Sequence, residues 1–148
     1  MRIPSSGDER HMEAFRRTCV EKGLAVTHQR QVIYRALISM PEHPTPESVY
    51  EVVRSEIPTI SLGTVYKNIK TFLSAGLLRA VTLHHESLRL DANVAHHYHL
   101  VCTRCKSITD LPADDLEPIQ FRRTPPRGFR VQNYSLEVHG LCAACAAS

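Results

Sequence analysis

The sequence contains no tryptophan, few aromatic residues and no long apolar run. A membrane-spanning helix needs roughly 20 consecutive, mostly apolar residues, so the sequence predicts none. The N-terminal segment lacks the apolar core of a secretory signal, and we therefore expect a cytoplasmic location. The chain has 148 residues, of which 43% are hydrophobic and 22% charged. This composition is typical of one globular domain or of two small ones.

Positive charge is in only slight excess over negative charge, whereas histidine and cysteine are abundant. The net charge is +3 with histidine neutral, which permits nucleic-acid binding without requiring it. The chain contains nine histidines and five cysteines, and four of the cysteines follow residue 91. In a reducing compartment, clustered cysteines indicate a metal site before disulfides.

Residues 1–91 have the pattern of four helices followed by a hairpin. The first helix is expected over 9–21, and the other three begin after the capping residues Thr27, Thr45 and Ser61. Two short strands are expected over 77–83 and 87–90, joined by residues 84–86. The expected apolar faces contain Met12, Phe15, Cys19 and Val20, then Val26, Val32, Ile33, Ala36 and Leu37, then Val49, Val52 and Val53, and finally Leu62, Val65, Ile69, Phe72 and Leu73.

The fourth helix also has a polar face that carries lysines and no acidic residue. With the hairpin, these helices would form a winged helix-turn-helix whose polar face enters the DNA major groove. Lys67 would reach phosphate or guanine, and Asn68 would pair with an adenine edge. An ordinary helical bundle with a solvated face fits the same pattern equally well. The candidate DNA-binding residues are Thr64, Tyr66, Lys67, Asn68, Lys70 and Thr71.

The second half of the chain predicts a mixed domain with a metal site. Strands are expected over 98–102 and 106–111, a short helix over 114–123, and one or two strands over 129–139. Two Cys-x-x-Cys pairs would supply four thiolates in a tetrahedron, which suits a structural Zn²⁺ ion. Two disulfides or a redox-active pair are less favoured alternatives. The four candidate zinc ligands are Cys102, Cys105, Cys142 and Cys145.

A second set of candidate ligands contains only nitrogen and oxygen donors. His97 and His99 lie two residues apart on an expected strand, so their side chains point to one face. Asp110, Asp91 and His43 could join them, although spacing alone supports only the histidine pair. Such a donor set suits Fe²⁺, Mn²⁺ or Zn²⁺.

The sequence as a whole resembles the ferric uptake regulator family of bacterial metal-sensing repressors. The resemblance covers nearly the whole chain and depends on the order and spacing of several blocks. These blocks are Gly23–Arg30, His43-Pro-Thr, Gly63-Thr-Val-Tyr66, Gly76-Leu77, Arg89-Leu-Asp91, His96–Cys105 and Gly140–Cys145.

The resemblance implies an α+β architecture and a dimer that binds palindromic operator DNA when metal is present. It implies a winged-helix DNA-binding domain over 1–90, a hinge over 91–95 and an α/β dimerisation and metal-binding domain over 96–148. It also implies structural zinc at the four cysteines and a regulatory Fe²⁺ or Mn²⁺ ion. The implied ligands of the regulatory ion are His43, Asp91, His97, His99 and Asp110.

Within the family, the chain is most similar to the peroxide-sensing repressors. Asp110 stands where those repressors typically have Asp and the iron-uptake repressors typically have Glu. The resemblance then implies oxidation of a ligating histidine, His43 or His97, followed by release of DNA. His96 departs from the peroxide-sensor pattern, and an iron-responsive repressor without peroxide sensing is the alternative.

Two rival classes of function follow from the residues alone. A nonhaem iron or zinc hydrolase could use the histidine and aspartate set, but the sequence contains no nucleophile elbow or phosphate-binding loop. A zinc-stabilised module that binds another protein is the second rival. We expect a regulator rather than an enzyme.

Overall fold

The computed structural model describes residues 6–41, 43–81 and 88–148. The chain divides into two compact units, of which the first ends at Val94 and the second spans Ala95–Ser148. The first unit contains four helices and a two-stranded sheet, and the second contains a three-stranded sheet. The α+β class expected from the sequence is confirmed.

The four helices of the first unit begin where the capping residues stand. They are α1 (Ser6–Glu21), α2 (His28–Ser39), α3 (Pro46–Glu56) and α4 (Leu62–Ser74). Thr27, Thr45 and Ser61 each accept a hydrogen bond from the backbone N–H three residues ahead, which satisfies a donor that the helix leaves free.

An aromatic cluster lies at the centre of the first unit. Phe15 stacks on Tyr34 with ring centroids 4.5 Å apart, and Phe72 meets both rings edge-on. These rings lie on α1, α2 and α4, so the cluster joins three helices. Aromatic pairs in these geometries contribute about 0.5–1.5 kcal/mol beyond the area that they bury.

Some residues assigned to apolar faces are more exposed than expected. Val20 is 73% exposed and Val52 is 43% exposed, while Val26 and Leu62 lie just above one-third. Val20 immediately follows the buried Cys19, so it points away from the face that α1 buries. The helical period therefore predicted the centre of each buried face correctly. It also assigned to these faces some residues at their edges that are exposed.

A short hairpin sheet completes the first unit. Strand β1 (Arg79–Val81) pairs antiparallel with β2 (Arg89–Asp91). Strand β1 begins two residues later than the expected 77, and β2 ends one residue later than the expected 90. The rest of the expected hairpin, including the turn over 84–86, lies outside the described residues.

The second unit is built around one central strand. Strand β3 (His97–Cys102) pairs antiparallel with β4 (Ile108–Pro112) and parallel with β5 (Glu137–Gly140). A single helical turn, α5 (Ala143–Ala146), follows and carries the last cysteine. The two Cys-x-x-Cys pairs therefore begin at the end of β3 and just beyond β5.

Two elements expected in the second unit differ from those that form. Instead of a helix over 114–123, the chain forms one 3₁₀ turn at Ala113–Asp115 and then runs without regular structure. Pro118 lacks a backbone N–H and opposes a helix at this place, and Phe121 is 64% exposed. The strand expected over 129–139 is limited to Glu137–Gly140.

Within the described residues, no helix is long and apolar enough to cross a membrane.

Candidate metal centres and DNA-facing helix

Four thiols converge at one end of the second unit. The ligand atoms of Cys102, Cys105, Cys142 and Cys145 all lie within 4.8 Å of one another. The Cys105 and Cys142 sulfurs are 3.7 Å apart, far beyond the roughly 2.05 Å of a disulfide bond. A Zn–S bond of about 2.3 Å places tetrahedral sulfurs about 3.8 Å apart, so this cluster fits zinc.

The electrostatics of the cluster favour thiolates at part of the site. Backbone hydrogen bonds, first from Cys142 and then from Cys105, lower the pKa of the Cys102 thiol to about 5. The hydrogen bond between Cys145 and Cys142 raises the pKa of Cys145 to about 12. The close sulfurs thus shift the pKa values of one another in opposite directions. A divalent cation would bind all four as thiolates.

Hydrogen bonds also join the two Cys-x-x-Cys segments, which form the first and the second knuckle of the cluster. The Thr103 N–H donates to the Gly140 carbonyl oxygen at 2.8 Å, and the Arg104 guanidinium donates to the Cys145 carbonyl oxygen at 2.7 Å. Lys106 adopts a positive φ of 65°, which turns the chain after the first knuckle. These bonds bring the end of β3 and the C-terminal segment to the same place.

A histidine and a carboxylate meet inside the first unit. The His43 Nε2 atom lies 3.3 Å from the Asp91 Oδ2 atom, and both side chains are buried. The other Asp91 oxygen accepts a hydrogen bond from the Asn93 backbone N–H at 2.8 Å. One nitrogen and one oxygen donor are therefore held face to face.

Strand β2 fixes the loop that carries His43. The Leu90 N–H donates to the Pro44 carbonyl oxygen at 2.9 Å, and the Arg89 guanidinium donates to the His43 carbonyl oxygen at 3.1 Å. The loop between α2 and α3 is thereby bonded to the strand that ends at Asp91. This contact explains why His43 and Asp91, 48 positions apart in sequence, become neighbours.

Three further donors converge inside the second unit. His99 on β3 lies opposite Asp110 on β4, and His97 projects from the same face of β3. The Asp110 Oδ1 atom is 3.5 Å from the His97 Nε2 atom and 3.7 Å from the His99 Nε2 atom. These distances are too long for good hydrogen bonds. The three donor atoms belong to a group that could hold a metal ion.

A backbone carbonyl sets the orientation of His97. The His97 Nδ1 atom lies 2.7 Å from the Ala95 carbonyl oxygen, so Nδ1–H is the donor. The other ring nitrogen, Nε2, is the one that lies near Asp110. Metal-binding histidines commonly have such a partner on the second nitrogen.

The polar face of α4 differs from the expected surface at Asn68. This side chain is buried, its Nδ2 atom donates to the Thr64 carbonyl oxygen, and its Oδ1 atom accepts from the Arg30 Nε atom at 3.3 Å. Asn68 therefore holds Arg30 and is not presented as a free amide to an adenine. Helical spacing placed Asn68 correctly on its face but could not reveal a partner on α2.

Tyr66 is held by a residue that the sequence analysis did not select. Its hydroxyl donates a hydrogen bond to the Glu47 carboxylate at the start of α3. This bond lowers the pKa of Glu47 and raises the pKa of Tyr66. Tyr66 remains 40% exposed, so its ring is oriented at the surface rather than buried.

An aromatic network occupies the other face of β3. The buried Tyr98 hydroxyl lies 2.9 Å from the Tyr134 hydroxyl and 3.3 Å from the His96 Nε2 atom. The two tyrosine rings stack nearly parallel, with centroids 6.1 Å apart. This network attaches the irregular segment before β5 to the central strand.

Comparisons with known proteins extend over most of the chain. The sequence model described as the ferric uptake regulator family matches residues 21–139. A peroxide-responsive repressor, PerR, of Staphylococcus aureus strain Mu50 is 31% identical over 145 residues, which cover 98% of each chain.

Solved structures share the same architecture. The ferric uptake regulator of Francisella tularensis with iron is 26% identical, with a TM-score of 0.70 over 84% of this chain and 96% of that one. A zinc uptake regulator complexed with zinc and DNA is 20% identical, with a TM-score of 0.68 over 97% of each chain. The winged-helix and C-terminal α/β architecture expected from the sequence is confirmed.

Proposed function

Because the chain belongs to the ferric uptake regulator family of metal-responsive repressors, we propose that it senses hydrogen peroxide and then releases operator DNA. The observation that carries this proposal is the donor set of the second unit, where Asp110 faces His97 and His99. These donors include no thiol. Asp110 stands at the position where, by the resemblance, peroxide sensors typically have Asp and iron-uptake repressors typically have Glu. The 31% identity to a peroxide-responsive repressor supports the same subgroup.

One regulatory ion would take its ligands from both units. The first unit supplies two donors, from His43 and Asp91, and the second supplies three, from His97, His99 and Asp110. Neither set alone completes the five or six positions that Fe²⁺ or Mn²⁺ prefers, and imidazole with carboxylate is the chemistry that both ions accept. Structural Zn²⁺ would be held separately by the four cysteines.

Such an ion would control DNA binding by linking the units. Residues 1–90 would act as the DNA-binding domain, 91–95 as the hinge and 96–148 as the dimerisation domain. Metal would favour one arrangement of the two DNA-binding domains, because only that arrangement completes the ligand set. The device is a stoichiometric switch, not a turnover catalyst.

Peroxide would break the switch by altering a ligand. A bound Fe²⁺ ion would supply the redox chemistry that cleaves the O–O bond and would return to Fe²⁺ at the end. The ring of His43 or His97 would gain one oxygen atom and lose two electrons, while the peroxide would accept those electrons and its second oxygen would leave as water. The oxidised ring is a poorer donor, so the link between the units is broken and the operator is released.

The DNA would meet the exposed face of α4 in a cytoplasmic homodimer. The proposed contacts are Thr64, Tyr66, Lys67, Lys70 and Thr71, and Asn68 would act through Arg30.

The second unit exposes large apolar side chains, which supports a partner subunit at this unit. Exposed examples are Ile119, Phe121, Phe129, Val131 and Leu141.

An iron-responsive repressor without peroxide sensing is the alternative function. His96 favours it, because this residue departs from the peroxide-sensor pattern. The similarity to an iron-bound ferric uptake regulator favours it as well.

Peptide mass spectrometry separates the two functions. Zinc-loaded protein is charged with Fe²⁺ or with Mn²⁺, treated with hydrogen peroxide and digested. We expect the Fe²⁺ sample to gain one oxygen on a peptide containing His43 or His97, and to stop binding an operator selected from a random duplex pool. The Mn²⁺ sample should gain none, because Mn²⁺ reacts poorly with peroxide at such sites.

Two control variants sharpen the result. His11→Ala removes an exposed histidine of α1 and should leave oxidation unchanged, whereas Asp110→Ala should abolish it. If Fe²⁺ drives operator binding but no histidine is oxidised, the iron-responsive alternative is correct.

A further inference from the structure

The lysines of this chain are few and unevenly placed. The sequence contains four, and three of them, Lys22, Lys67 and Lys70, line a single cleft of about 430 Å³. The cleft lies in the first unit, between the C-terminal end of α1 and the second half of α4. Lysine positions alone suggested two cations on α4, and the fold adds the third from a distant part of the chain.

The backbone fixes Lys22 at the mouth of this cleft. The Lys22 N–H donates to the Thr18 carbonyl oxygen at 2.9 Å, so the residue is bonded to the last turn of α1 and follows it directly. Gly23 then adopts a positive φ of 67°, and the Leu24 N–H closes back onto the Cys19 carbonyl oxygen at 2.7 Å. This glycine-dependent ending places Lys22 among the residues that line the cleft.

The opposite wall of the cleft carries positive charge and hydroxyl groups. Lys67 and Lys70 are three residues apart and share a face of α4. Thr71 and Ser74 add the hydroxyls, and no acidic residue is among those that line the cleft. Across 6–41, 43–81 and 88–148, none of the three ammonium groups forms an ion pair with a described carboxylate. Within this part of the chain, three exposed cations therefore lie together without a counter-charge.

We propose that this cleft binds the phosphodiester backbone of duplex DNA, with Lys22 as a phosphate contact outside the helix-turn-helix. The inference rests on the proposed DNA-binding function and extends its interface to the end of α1. Lysine is a compact point charge that suits a phosphate, and hydroxyl side chains also donate to phosphate oxygens. Backbone contacts fix the register of a protein on DNA without reading sequence.

The test compares two charge removals, one just after α1 and one within α1. Lys22→Gln removes a cation from the cleft, whereas Arg10→Gln removes one from α1 at a different cleft, which α1 forms with α2 and α3. Both variants have the same net charge, so the long-range attraction to DNA changes equally. Lys22→Arg keeps the cation and should bind as the wild type does. Circular dichroism checks that all variants fold.

Fluorescence anisotropy with zinc- and Mn²⁺-loaded protein provides the measurement. Binding to the selected operator and to a random-sequence duplex is followed across salt concentrations. We expect Lys22→Gln to lower the slope of log affinity against log salt by about 0.9 for each phosphate that is no longer neutralised, hence by about 1.8 for a dimer. The affinity for both duplexes should fall by a similar factor, and Arg10→Gln should keep the wild-type slope.

Two results would overturn the proposal. Lys22→Gln could keep the wild-type slope, or its effect could be confined to the selected operator. Failure of the proposed function has a different signature: the wild type would bind duplex DNA without needing metal, while the difference between Lys22→Gln and Arg10→Gln persisted. A wild type that binds no duplex would overturn both.

Discussion

The two units differ in what holds them together. The first has a continuous hydrophobic core, to which side chains of the four helices and of the hairpin contribute. The rings of Phe15, Tyr34 and Phe72 lie at its centre. The second has few buried hydrophobic side chains among its described residues. These are Tyr98, Val101, Cys102 and Ile108.

This difference shows two ways to stabilise a small unit. Burial of apolar area stabilises the first unit, and it requires no ligand. The second unit, Ala95–Ser148, is short and has many exposed apolar side chains, and domains of this size often need a metal or a partner chain. We therefore expect the two units to respond to different perturbations.

Removal of zinc should give the largest effect and should be confined to the second unit. Structural zinc contributes about 10–16 kcal/mol in small zinc-binding peptides, far more than the few contacts of the β3 sheet can replace. In Cys142→Ser, we expect hydrogen exchange to accelerate throughout β3, β4 and β5 while α1–α4 keep their protection. Cys19→Ala is the matched control, because it removes a core thiol and should retain zinc.

Protection that survives in both units of Cys142→Ser would show that the sheet does not depend on the metal. Simultaneous unfolding of both units would show that they are not independent.

The reverse experiment removes the core of the first unit. Phe72 is fully buried and touches two other rings, so Phe72→Ala should lower the free energy of unfolding of this unit by about 3–5 kcal/mol. Calorimetry should show a lower first-unit transition, while metal analysis shows unchanged zinc. Val20→Ala, at a 73% exposed position of α1, should change stability by less than about 0.5 kcal/mol. Release of zinc from Phe72→Ala would contradict the independence of the units.

A smaller effect tests the aromatic network of the second unit. Tyr134→Phe removes the hydroxyl that lies 2.9 Å from the buried Tyr98 hydroxyl. We expect the second unit to be destabilised by about 1 kcal/mol, measured by chemical denaturation of the zinc-loaded protein. Tyr50→Phe is the control, since the Tyr50 hydroxyl has no hydrogen bond within the described residues. Equal effects of the two substitutions would assign no special role to the network.

The sequence predicted the first unit far better than the second. Three side-chain caps and a 3.6-residue apolar period are local signals, and they predicted the starts of α2, α3 and α4 correctly. The prediction of a helix over 114–123 was wrong. It depended on Asp114 and Asp115, which are typical of a helix start, but Pro118 opposes a helix and the segment buries no apolar face. Local signals predict poorly where little core exists to select one structure.

For the candidate sites, too, local signals predicted well and contacts between distant residues could not be predicted. Cys-x-x-Cys spacing identified the zinc cluster, because each pair is local. The neighbours of Asn68 and Tyr66 could not be predicted, since Arg30 and Glu47 lie 38 and 19 residues away in sequence. Only the packing of α2 and α3 against α4 brings these pairs together.

Titration calorimetry of Mn²⁺ into zinc-loaded protein tests the proposed regulatory ion, which would need His43 as well as the donors on β3 and β4. His43→Ala removes a ligand from the first unit only and leaves His97, His99 and Asp110 in place. We predict that Mn²⁺ affinity falls by more than about tenfold and that metal-dependent operator binding disappears, while zinc content stays unchanged and His11→Ala behaves as the wild type. Unchanged Mn²⁺ affinity in His43→Ala would show that the regulatory ion does not use His43.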